Sequence, residues 1–400
     1  MTRERNILLL ITLALILIGV LMVFSSGFLT AARDLGISST EYLLRQGIYT
    51  ALAVTVLFVF ARFDYHKLSN RTIYVSFFWA TLGLLVAVLL FGDEAGGAQR
   101  AFRLGPMGFQ PSEVAKLSII VILAVKLSQN HDKMWKFWQG LAPLIFLTGI
   151  LAAFVLAQRD LGTPVLICGV SGLMLFVAGA RWKYAIAGAA SMAAVTFTLI
   201  HIAGYRSERW DDYVNYWLRG GDGGYQLSHS LNAFAFGSIT GRGPGASEQK
   251  LGYLPAAHND FIFAIYGEEM GLLGTLFVVA LFMAMLLLGI RIALNARDFL
   301  GAMLACGVTS LFTFQAILNM GVAVGLFPTK GLTLPFISAG GTSLVASAAL
   351  MGILLNVALQ AEAPAAAPGH AQKCAWLRWL AAPFARRGPR LQSELSGGRG

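Results

Sequence analysis

The chain has 400 residues, 56% of them hydrophobic and only 12% charged, with a formal net charge of +10. That balance, with a mean hydropathy of +0.67, excludes a soluble globular domain and fits a polytopic membrane protein. The surplus of Lys and Arg is no nucleic-acid patch, because it is scattered over loops between apolar runs, as the positive-inside bias dictates. Cys168 and Cys306 lie in apolar runs and Cys374 near the end, so neither a disulfide framework nor a zinc spacing exists.

The N-terminus, MTRERN before an apolar run, has no A-x-A cleavage site ahead of Arg33 and reads as a retained first helix. Apolar runs fall at 7–24, 46–61, 72–92, 111–128, 141–157, 161–180, 183–204, 267–290, 299–320 and 337–360. They predict an all-α membrane domain over 1–362, with ten transmembrane helices and both termini on one side. That side carries Arg62, Lys67, Arg71, Lys126, Lys133, Lys136, Arg181, Lys183, Arg291 and Arg297, and is the cytoplasmic one. The other side carries Asp93, Glu94, Asp211, Asp212 and Asp222. No internal repeat is visible, which counts against inverted-repeat transporter folds. Residues 363–400, rich in Ala, Pro, Gly and Arg, predict a disordered cytoplasmic tail, with an interfacial turn near Trp376 and Trp379.

The unusual residues gather on the outward face. Gln110–Lys116 opens the fourth span, with Pro111 in a first-turn position and Glu113 and Lys116 three apart, hence neighbours on the helix. Two readings stand: a structural ion pair, or a polar seam that a substrate or partner disturbs. Gln158–Gly162 forms a tight outward turn around Asp160.

The loop 205–257 begins with an amphipathic aromatic stretch suited to a membrane surface. A short helix candidate follows, and then GRGPG at 241–245. That glycine run is no dinucleotide fingerprint, since no strand precedes it. It is either a plain loop or a backbone cradle for an anion, with Arg242 and Lys250 beside it.

The stretch 254–274 then places Asp260, Glu268 and Glu269 at the mouth of an apolar run. Intramembrane carboxylates default to a functional hypothesis. Asn259 or Asp260 suits the N-cap of the following helix. Gly267, Gly271 and Gly274 would lie near Asp260's face if that helix is continuous, forming a small-residue seam open to another helix. The last motif, 319–343, has too many Pro and Gly residues for one straight helix. It predicts broken backbone lining a polar cavity, and Lys330 sets that cavity facing outward.

Six motifs together resemble one family: GAQRAFRLGPMGFQPSEVAKL (97–117), QRDLG (158–162), GYQLSHSLNA (224–233), GRGPG (241–245), LPAAHNDFIFAIYGEEMG (254–271) and NMGVAVGLFPTKGLTLPFISAGGTSL (319–344). The chain resembles the SEDS (shape, elongation, division and sporulation) proteins, membrane glycosyltransferases that polymerise peptidoglycan. PTKGLTLPFIS is closer to the division-type branch, FtsW, than to the elongation-type branch, RodA.

The resemblance implies ten spans, lipid II as substrate, and a class B penicillin-binding protein and other division proteins as partners. It also implies residence in the cytoplasmic membrane at the division septum. It places the catalytic aspartate on Asp260, after His258. Candidate substrate contacts are Arg103, Gln226, Ser230, Arg242, Lys250, His258, Lys330 and Ser338. Candidate structural or regulatory residues are Glu113, Lys116, Asp160, Glu268 and Glu269. Ala101, Arg159 and Ala339 depart from the family's usual Trp, Pro and Tyr.

The chemistry is consistent with that implication. Diphosphate is a competent leaving group once cations neutralise it, so one base acting on the acceptor hydroxyl suffices for inversion. Asp260 would be that base, or would hold a divalent cation, Mg²⁺ or Mn²⁺. A flippase for the same lipid is the rival reading; the absence of a polar cluster at the cytoplasmic ends of the spans argues against it.

Overall fold

The computed structural model describes residues 2–34, 39–95, 98–104, 107–134, 136–201, 207–219, 224–255 and 259–361. His258 and the tail 363–400 lie outside the described residues. The helices are α1 (Thr2–Asp34), α2 (Ser39–Arg62), α3 (Arg71–Phe91), α4 (Pro111–Asn130), α5 (Ala142–Ala157), α6 (Gly162–Val177), α7 (Trp182–His201), α8 (Ser207–Arg219), α9 (Gly224–Gly237), α10 (Ile262–Leu294), α11 (Phe299–Ala323) and α12 (Gly341–Gln360). Each of the ten predicted apolar runs contains a helix, and α8 and α9 occupy the long connection between α7 and α10. Among the described residues, seven helices are long and apolar enough to cross a membrane. Of the rest, α6 is a shorter apolar helix and α4 carries Glu113, Lys116 and Lys126.

The core is built around α11 and α12, whose apolar windows are 78% buried. Gly307 of α11 lets α4 and α6 close in: a Cβ there would lie 2.8 Å from both Ile120 and Met174. To this helical frame the structure adds a small antiparallel sheet, β1 (Asp93–Ala95), β2 (Ala98–Leu104) and β3 (Met107–Phe109), in the order β1-β2-β3. It lies between α3 and α4. Thr342 at the start of α12 tethers β3 by donating to the Gly108 carbonyl at 2.8 Å.

The main departure from expectation is in α10, which is not continuous. Gly271 sits at φ +66°, ψ −165°, a conformation open essentially to glycine alone. The break strands backbone groups that must find partners at membrane depth, and residues 238–243 supply them. Arg242 and Gly243 donate their N–H groups to the Glu268 and Glu269 carbonyls, both at 3.0 Å, and the N–H groups of Leu272 and Leu273 go to the carbonyls of Ser238 and Ile239. The anion cradle suggested by GRGPG is thereby overturned at Arg242 and Gly243, whose amides are spent on closing this break. The small-residue approach survives in altered form: Gly237 of α9 meets Gly267, where an added Cβ would lie 2.0 Å from the Gly267 carbonyl.

The aromatic stretch before α9 is helical, as its pattern suggests, but it docks on protein. Trp217 and Tyr213 of α8 donate to the carbonyls of Gly325 and Leu326, at 2.8 and 2.9 Å.

Candidate active site

Asp260 stands in the turn just before α10. The flanking residue of the helix is Phe261, with no side-chain cap bond, so the expected capping role of Asn259 or Asp260 is not found. Two side chains hold this turn instead. Asn319 of α11 donates its amide to the carbonyls of Asp260 (2.9 Å) and Leu332 (2.6 Å). Ser338 donates to the Asn259 carbonyl at 2.7 Å while accepting the Leu334 N–H at 2.7 Å. Ser338 is therefore placed to anchor backbone, and the broken segment 324–340 becomes a wall of the site.

Against that wall lies the Asp260 carboxylate. Its Oδ2 is 3.3 Å from the point where a Gly331 Cβ would stand, and a guanidinium nitrogen of Arg100 is 4.0 Å from the same point. Arg100, on β2, is aimed by the carbonyls of Gln158 (3.3 Å) and Arg159. Arg159 adopts φ +59°, the left-handed conformation that turns the QRDLG loop. Asp160, 4% exposed, accepts from the Gly162 and Thr163 N–H groups and the Thr163 hydroxyl, which fixes the start of α6. Lys330 precedes Gly331 in the chain, and its ammonium has no ion pair or hydrogen bond among the described residues. Burial pushes its pKa down. A half-buried, unpaired cation on the segment that walls Asp260 suits an anionic ligand.

The Glu113–Lys116 pair is real and buried: 2.8 Å apart, 7% and 3% exposed. It also reaches the site. Lys116 donates to Gln315 Oε1 at 3.2 Å, and Gln315 Nε2 donates to the Thr333 carbonyl at 2.8 Å. The Thr333 hydroxyl meets that of Ser343 at 3.0 Å. The α4 pair thus braces the segment that walls Asp260.

A second buried polar cluster lies at the head of α10. Glu268, 0% exposed, accepts from the Ser247 hydroxyl and the Glu248 N–H, and pairs with Arg242 at 3.4 Å. Glu269 pairs with Lys250 at 2.8 Å and accepts from Ser25 of α1 at 2.6 Å. Lys250, expected at the substrate boundary, is instead enclosed in this pair, and Arg242 is shared between Glu268 and Glu248. The reason is electrostatic: two carboxylates beside the break need partners at membrane depth. Ser230 is also turned inward, donating to the Ala323 carbonyl at 2.7 Å. Gln226 lines an outer cavity with α8. Arg103 lies in β2, paired in register with Gly108.

Sequence reasoning missed Arg100, Gln315 and Asn319. The last two were findable: polar side chains four apart on an otherwise apolar helix share one face. It also expected no polar cluster at the cytoplasmic ends, and the structure corrects this. His66 bridges Asp64 (2.8 Å) and Asp298 (2.6 Å), while Gln360 donates to Asp64 and Tyr65 to Asp298. These groups bond to one another and tie three chain segments together.

The family model described as "Cell cycle protein", covering FtsW, RodA and SpoVE, matches residues 5–363. The chain belongs to this family. The chain is 39% identical to the probable peptidoglycan glycosyltransferase FtsW of Geobacter metallireducens, over 89% of this chain and 94% of that one. It is 37% identical to the protein of the same name from Aliivibrio salmonicida, over 87% of each. A chain from a solved peptidoglycan synthase complex that couples polymerisation and crosslinking superposes with a TM-score of 0.72 at 26% identity, covering 89% of this chain and 98% of that one. RodA of Thermus thermophilus shares the fold, with a TM-score of 0.66 at 24% identity, 89% of this chain and 97% of that one. Membership, together with the apolar helices, makes this a multi-pass membrane protein.

Proposed function

We propose that this chain is an FtsW-type peptidoglycan glycosyltransferase that polymerises lipid II on the outer face of the cytoplasmic membrane at the division septum. The names of its relatives support the activity, and the geometry around Asp260 supports the mechanism. The observation that carries it is the Asp260 carboxylate, held by its backbone from Asn319 and grouped with Arg100 beside Gly331. In the reaction, the acceptor sugar hydroxyl attacks the anomeric carbon of the donor. Its proton passes to Asp260, the bond to the polyprenyl diphosphate breaks, and the configuration inverts. Arg100 and Lys330 neutralise the charge that grows on the departing diphosphate. The loop 205–257 helps to wall the groove, and residues 363–400 serve partners rather than chemistry. A class B penicillin-binding protein crosslinks the product, consistent with the complex in which the similar chain was solved.

The divalent cation fits these residues poorly. Among the described residues, no three His, Cys, Asp or Glu side chains converge to hold a metal. Asp260 is one carboxylate with a guanidinium for a neighbour, so no step is derived through a metal.

The test is polymer formation from labelled lipid II by purified protein in detergent, with and without its transpeptidase. Polymer from wild type and none from Asp260→Asn is expected. Lipid translocation in vesicles without polymer would make the protein a flippase and overturn the reading.

A further inference from the structure

A polar cavity of about 200 Å³ opens between α8, α9 and the segment before Lys330. Arg209, Asp212, Tyr213, Tyr225, Gln226 and Thr329 line it. Thr329 is two residues before Gly331, whose Cβ position would lie 3.3 Å from Asp260 Oδ2, so the cavity wall is about 7 Å of chain from the residue facing the proposed base. Its charge argues against a diphosphate: one Arg and one Asp cancel, leaving an amide, hydroxyls and aromatic faces. These are the groups that bind a neutral sugar ring. Its volume falls below the about 300–1,000 Å³ of drug-sized sites, so it takes one ring rather than a chain.

A second feature continues from the cavity. Tyr225 meets His229, one turn along α9, with ring centroids 4.3 Å apart and planes tilted by 52°, and His229 stacks on Tyr253 at 6.0 Å and 23°. His229 is fixed by a 2.8 Å bond to the buried Gln249, and Tyr225 and Tyr253 are 55% and 53% exposed. A polar cavity thus runs into a row of three rings, the outer two exposed and the middle one fixed by Gln249. From this juxtaposition we propose that the cavity and the Tyr225–His229–Tyr253 row form a saccharide subsite and track, holding the glycan units next to the reacting sugar.

This inference rests on the glycosyltransferase reading, and its test is separable from it. Full-length Tyr225→Ala, Gln226→Ala and Tyr253→Ala, each with the transpeptidase in detergent, would polymerise labelled lipid II. Initial turnover at saturating lipid II and product length would be read separately. Turnover should stay near wild type while KM rises or mean glycan length falls by about threefold to tenfold, the scale of a lost aromatic face. Tyr225→Phe, which keeps the ring, should restore length and exclude a folding defect. Wild-type length and KM in all three alanine variants would make the row an interfacial aromatic belt and overturn the proposal. Loss of turnover equal to that of Asp260→Asn in a folded variant would place these residues in the chemistry and also overturn it. An active Asp260→Asn would instead refute the base assignment and leave the track standing.

Discussion

Gly271 and Gly241 face each other across a gap with no room for a side chain. A Cβ on Gly271 would lie 2.3 Å from the Gly241 nitrogen, and one on Gly241 would lie 2.2 Å from the Glu269 carbonyl oxygen. Both have positive φ, so each would add backbone strain to the clash. Gly271→Ala and Gly241→Ala should therefore each cost more than the roughly 1–3 kcal/mol of a strained backbone alone. Gly243 has positive φ but open space, so Gly243→Ala should show only the strain. Melting temperatures in detergent give the check: equal values for all three variants would contradict this account of the helix break.

Lys116→Ala should leave Glu113 unpaired in a buried site and cost about 3–5 kcal/mol. It also removes the donor to Gln315, loosening the wall of the site, so polymer yield should fall further than expression. Exchanging the charges (Glu113→Lys with Lys116→Glu) should recover only part. The Gln315 oxygen would then face a carboxylate, while its amide nitrogen is committed to Thr333. Full activity in both single mutants would remove the seam from the mechanism.

How much of this was legible beforehand depends on the kind of signal. The helices were legible, because a membrane enforces long apolar runs whatever the contacts are. The α4 ion pair was legible from i,i+3 spacing, and Asp260 from its position at a helix entrance. The break at Gly271 was not, since EEMGLLG reads as a small-residue helix face until residues 238–243 are seen inserted beside it. The roles of Arg242 and Lys250 were hidden for the same reason. A loop cation looks free for substrate until the fold brings a buried carboxylate to it. Arg100 was passed over because its partners are backbone carbonyls of a distant turn.

The His66 cluster should make stability depend on pH. Burial lowers the His66 pKa, but Asp64 and Asp298 outweigh it and the net shift is upward. The Gln360 hydrogen bond, with that of His66, holds Asp64 down at about 2. Tyr65 and Arg297 complete the charged surroundings. A raised histidine contributes fully below its unfolded value of about 6.5, and the contribution is lost as pH rises through the folded value. Asp64 acts oppositely, losing its share only as pH falls toward 2. Melting temperature should thus decline on the alkaline side, and His66→Gln should flatten that limb. An unchanged decline in the variant would assign it to other groups.

Asp260 is where the chemistry can be tested against its simplest alternative. An aspartate at a helix entrance is commonly an N-cap, and asparagine caps about as well, so under that role Asp260→Asn would be silent. In the structure the flanking residue is Phe261, and it carries no side-chain cap bond. The Asp260 carbonyl is bonded to Asn319, and that backbone bond survives any change of side chain. Asp260→Asn should therefore fold and bind its transpeptidase normally. Asparagine cannot take the acceptor's proton, so polymerisation should fall by about 10²–10⁴-fold, the usual contribution of a general base. Asn319→Leu offers a contrast: it leaves the carboxylate in place but frees the turn, so it should lower activity less and melting temperature more. Polymer yield from labelled lipid II, read beside melting temperature for both variants, decides the matter. Wild-type yield from a folded Asp260→Asn would refute the assignment.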